Sequence, residues 1–89
     1  MSTMQRVWLE LRAVLRIRPG FEVRDAGGAI VGLAIPDVFT RETACLDLKL
    51  STLPKIRESS GRPRVAEYAY GAYTLQVTYL EGCVTLRLV

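Results

Sequence analysis

Histidine is absent from the 89 residues, and so is asparagine; cysteine occurs twice and lysine twice. Without histidine the chain lacks the commonest general base and the commonest metal ligand. The spacings G-x-S-x-G, H-E-x-x-H and the Gly-rich phosphate loop are missing as well. Carboxylates occur singly along the chain. An enzyme is therefore not expected, and no cofactor or metal is implied. No apolar run approaches the ~20 residues that a membrane-spanning helix needs. Met1 to Gln5 carries no basic stretch with an apolar segment behind it, so an intracellular protein is expected, cytoplasmic or, if viral, in the host cytoplasm. Cys45 and Cys83 lie far apart with no histidine beside them. Two free thiols fit a reducing compartment, and one disulfide stays open as the alternative.

What is present is apolar and weakly basic. Apolar residues make up 49% of the chain, much for a domain whose core is thin at this length. That excess suggests an oligomer or a hydrophobic partner, although antiparallel sheets use many Val, Leu and Tyr residues in any case. Twelve Lys and Arg against nine Asp and Glu give a net charge of +3. This licenses a modest expectation of an anionic partner and no more.

Alternation of apolar and polar residues dominates the order of the chain, which reads as a single domain, 1–89. Glu10 to Arg18 is E-L-R-A-V-L-R-I-R, a period of two that predicts a strand, with Pro19-Gly20 as the turn into a second strand, Phe21 to Arg24. Arg6 to Arg18 also fits a helix with Met4, Val7, Trp8, Leu11, Val14 and Leu15 on one stripe; persistence of the alternation to Arg18 favours the strand. Asp25 to Gly28 is a turn cluster, Ala29 to Ile35 a strand, and Asp37 to Glu42 irregular. Thr43 to Leu50 predicts a strand with Ala44, Leu46, Leu48 and Leu50 on one face. Ser51 to Arg64 reads as a long loop bracketed by Pro54 and Pro63. Val65 to Leu80 reads as one long strand kinked at Gly71, with Tyr73, Leu75, Val77 and Tyr79 inward. Glu81-Gly82 is a hairpin turn into a last strand, Cys83 to Val89. The fold expected is all-β or β-dominated α+β: a small antiparallel meander, sandwich or open barrel of five to seven strands, with at most one short helix. So many edges in so short a chain predict self-association, most simply a twofold dimer.

Two groups of residues are candidates for binding. Strand geometry would set Arg12, Arg16 and Arg18 on one wet face with Arg24 near them. Lys55, Arg57, Arg62 and Arg64 crowd the long loop. Interspersed glutamates make the first group equally suited to a plain solvated face. The same parity would lay Trp8 and Val14 among those arginines as an interface patch, with Tyr68 and Tyr70 as a second aromatic pair. The expected role is a non-catalytic interaction or assembly module that self-associates through its sheet. The alternatives are an RNA-binding or other nucleic-acid-binding protein using these cations, and a lipid or membrane-surface binder. L-R-A-V-L-R-I-R-P-G-F from Leu11 to Phe21, with Asp25-Ala26 and the later G-A-Y-T-L-Q-V-T-Y, resembles strand segments of rhabdovirus-type matrix proteins. The likeness covers under half the chain and carries no residue roles. It implies a viral or phage accessory or structural protein.

Overall fold

The computed structural model describes residues 2–89. Two helices and six strands follow one another: α1 (Thr3–Val14), β1 (Glu22–Arg24), β2 (Ile30–Pro36), α2 (Thr40–Leu50), β3 (Lys55–Ser59), β4 (Arg64–Tyr70), β5 (Tyr73–Leu80) and β6 (Cys83–Leu88). The strands form one sheet in the order β1-β2-β6-β5-β4-β3, every pair antiparallel. The class is the β-dominated α+β fold that the alternation predicts. Its composition differs, however, and two helices stand where at most one was expected.

The first correction is the segment read as a strand from Glu10 to Arg18. Ser2 caps a helix here, its Oγ accepting the Gln5 N–H at 3.2 Å. Trp8, Leu11 and Leu15 are buried at helical spacing. The alternation survives to Arg18 because the helix ends in a tight C-terminal closure. Arg16 adopts a left-handed φ of 57° and donates to the Ala13 carbonyl, and the Ile17 N–H reaches back to that of Arg12. This closure drops Ile17 into the core only two residues after Leu15, so a helix end imitates strand parity. Pro19-Gly20 consequently links helix to strand rather than two strands.

The second correction is Thr43 to Leu50, which lies within α2. The helix sends Leu46 and Leu50 into the core and leaves Ala44 and Leu48 outside, dividing the four residues that a strand would have kept together. Its open carbonyls at the C-terminal end are satisfied by Ser51 Oγ donating to Leu48 and Thr52 Oγ1 donating to Lys49, both at 2.6 Å. Two smaller corrections follow. The loop from Ser51 to Arg64 contains β3, an edge strand with every residue exposed. The long strand from Val65 to Leu80 is two strands, because Gly71 (φ +58°) and Ala72 make a complete turn between β4 and β5.

Both helices contribute to the same core as one face of the sheet. Leu33 and Ile35 of β2, Val84 and Leu86 of β6, Leu75 and Val77 of β5, and Ala66 and Tyr68 of β4 are buried with Trp8, Leu11, Leu46 and Leu50. Gly32 is required where β2 meets β6, since a Cβ there would stand 2.8 Å from the Leu86 carbonyl oxygen. Beyond this contact Ile30 is served by a side chain: Gln5 Nε2 donates to its carbonyl at 2.9 Å and Gln5 Oε1 accepts its N–H at 2.7 Å. That amide fastens α1 to the sheet. The opposite sheet face has no helix on it among the described residues.

Candidate interaction surface

Register alone identifies the side chains on the open face, because residues alternate with the buried ones along each strand. One cross-strand row runs Ala34, Thr85, Thr78, Val65, Ser59 from β2 to β3. The next runs Arg87, Gln76, Glu67, Arg57. Flanking these are Pro36, Cys83 and Leu80 on one side and Val89, Thr74 and Ala69 on the other, Val89 exchanging both backbone hydrogen bonds with Thr74. The face is built largely of small or β-branched residues. Its charge is confined to one row, where Arg57 Nε lies 2.8 Å from Glu67 Oε1 and Gln76 donates to the other oxygen at 3.3 Å. Arg87 is exposed at the end of that row and has no carboxylate partner among the described residues.

The helix-covered side carries a different surface at its β3 edge. Lys55, Glu58 and Arg64 line an open groove of about 390 Å³ with Asp47, Tyr68 and Tyr79. Arg64 lies over the Tyr79 ring, its guanidinium carbon 3.7 Å from the ring centre, and bonds Glu58 at 3.0 Å, while the Lys55 ammonium stands 3.5 Å from the same carboxylate. Burial, then the negative charge of Asp47, pushes the Tyr79 phenol up to about 12. The groove thus spends its two cations on its own acid and rings.

The other cations meet similar fates. Arg12 pairs with Glu22, Arg18 lies over the edge-to-face pair of Phe21 and Phe39 with Nε 3.3 Å from Glu42, and Arg24 donates to the Gly28 carbonyl. Of the eight cations that the sequence singles out, Arg16 and Arg62 alone have neither an acidic nor a carbonyl partner among the described residues. Arg16 follows α1 and Arg62 precedes β4. The stripe of Arg12, Arg16 and Arg18 does not form, since those residues sit on a helix, in its closure and beyond it. Arg57 faces the open side, whereas Lys55 and Arg64 face the helical side.

The aromatic patch is corrected too. Trp8 is 2% exposed and Tyr68 is also buried, both in the core. Val14 is exposed at the end of α1, and Tyr70 is half-buried with its hydroxyl donating to Glu10 at 3.0 Å. Tyr70 is raised above its usual value by burial and then by that bond. The sequence reading missed the row Thr85, Thr78, Val65 as a surface. Its signal was available in the outward parity of Thr74, Gln76 and Thr78, which a meander with both faces covered would have hidden.

Glu22 has the clearest pH consequence. The Gly20 N–H donates to it at 2.8 Å and, with its own backbone amide and Arg12, holds its carboxyl below the usual carboxylate range. A depressed acid stabilises the fold above its unfolded value and loses that contribution as pH falls. Urea unfolding should therefore show the wild type losing more stability than Glu22→Gln between roughly pH 5 and pH 3, with the variant weaker at neutral pH. Parallel loss in both proteins would contradict the assignment.

Comparison of the chain with family models, curated proteins and solved structures finds no match. The functional reading consequently stands on the two-sidedness of the sheet.

Proposed function

We propose that the chain is a non-catalytic protein-interaction module whose binding surface is the open face of the sheet. One observation carries this reading: a six-stranded sheet has its core on one side and, on the other, an uncovered face of largely small or β-branched side chains with its charge confined to one row. Burying such a face sets few charges against an incoming sheet, and its β-branched residues have little rotamer freedom to lose. The cations offer less support for a nucleic-acid reading, because five of the eight are in ion pairs with the chain's own glutamates.

Cys83 is a native reporter of this face and Cys45, on α2, an internal control; both are free and half-buried. Alkylation followed by mass spectrometry is the test. Cys83 should react more slowly in cells that carry the protein than in the purified chain at high dilution, while Cys45 reacts alike in both. Equal rates for Cys83 in the two settings would sink the reading.

A further inference from the structure

We infer that the occupant of the open face is a second copy of this chain, docked about a twofold axis that runs along β5. The inference rests on the reading of that face as a binding surface and adds the partner and its register. The strands of two stacked sheets lie roughly aligned, so an axis parallel to the strands is the natural choice. Such an axis keeps each cross-strand row opposite the same row of the other copy.

The charged row then decides among the possible axes. Its order from β6 to β3 is Arg87, Gln76, Glu67, Arg57. An axis along β6 would set Arg87 against Arg87, and one along β4 would set Glu67 against Glu67. An axis midway between β5 and β4 would set Arg87 against Arg57. Midway between β5 and β6, Glu67 would meet β2 at the level of Gly32, where no side chain can answer it. Along β5 each Arg87 faces Glu67 of the other copy, twice by symmetry, and Gln76 faces Gln76. Arg87 gains the acid that its own chain does not give it. Glu67 already accepts from Arg57 and Gln76 on its own chain and has lone pairs enough for a third donor.

The remaining rows agree with this axis. Thr85 meets Val65, Val89 meets Ala69, and Leu80 meets its own counterpart, so the exposed apolar residues Leu80 and Val89 come under cover. Five strands about 4.8 Å apart and roughly seven residues long at about 3.3 Å each offer on the order of 500 Å² per copy. The total, about 1,000 Å², lies at the lower end of specific interfaces and suits a reversible dimer. β5 is also the middle of the five strands β2, β6, β5, β4 and β3, so the axis centres the contact.

Charge exchange across the axis tests the register by sedimentation equilibrium. The wild type should be a reversible dimer, and Arg87→Glu and Glu67→Arg should each weaken it at least tenfold, because each sets like charges together. An equimolar mixture of the two variants should regain wild-type association, since both cross-axis contacts then join opposite charges. If Glu67→Arg does not fold, Arg87→Glu should dissociate the dimer further than Arg87→Ala does. A wild type that stays monomeric at high concentration overturns the second-copy inference; Cys83 protection in cells would then show the face binding something else. A wild-type dimer that the exchanges leave unchanged, or that the mixture fails to restore, overturns the register.

Discussion

Replacing Trp8 with alanine is expected to cost about 3–5 kcal/mol, the range for removing a large aromatic side chain from a packed core. At 2% exposure Trp8 lies among Leu11, Leu15 and the inner face of the sheet. It also forms, with Met4, Ile30 and Leu88, the floor where α1 meets the end of the sheet. In a domain of this size each kcal/mol corresponds to roughly 4–8 °C of melting temperature. The variant should therefore melt at least 12 °C below the wild type, or be unfolded at room temperature. Val14, the residue that strand parity would make its neighbour, is exposed on the helix, and Val14→Ala should change stability by less than about 0.5 kcal/mol. Thermal unfolding followed by circular dichroism separates the two cases. A small loss for Trp8→Ala would place the ring on the surface and overturn α1 as described.

Leu46 and Leu48 give a second contrast of the same kind. A strand over Thr43 to Leu50 would place both on one face, so an aspartate would do equal damage at either position. The helix separates them: Leu46 is 0% exposed and Leu48 is 68% exposed. Leu46→Asp buries a carboxylate with no partner and should leave little folded protein, since such a group costs several kcal/mol against the stability of a small domain. Leu48→Asp should lie within about 0.5 kcal/mol of the wild type. Similar losses at the two sites would restore the strand.

These contrasts mark what local pattern could and could not reveal. β5 and β6 are legible because antiparallel strands with one buried face alternate, as Leu75, Val77 and Tyr79 do, whereas β2 is legible as a short apolar run bounded by a glycine turn and Pro36. The helices escaped for separate reasons. In α1 the C-terminal closure at Arg16 returns Ile17 to the core and extends a false period of two. In α2 the sequence T-A-C-L-D-L-K-L offers both periods, and packing against the sheet selected the helical one. β3 was hidden because a fully exposed edge strand has no buried face to alternate with. The cations were visible individually, but their partners were not. Arg12 with Glu22 and Arg18 with Glu42 depend on where two helices cross over onto the sheet, which no local spacing encodes. The open face is likewise a tertiary fact. The outward residues could be read from β5, whereas the absence of a second layer among the described residues could not.

Cys83 reports most directly on whether that face is covered when the protein works. Its strand neighbours are Pro36 and Leu80, both on the open side. The rate of its alkylation, relative to that of Cys45, should fall severalfold from the dilute purified chain to the protein in the cells that carry it. An unchanged ratio would mean that the face stays open to solvent and that the sheet serves no partner.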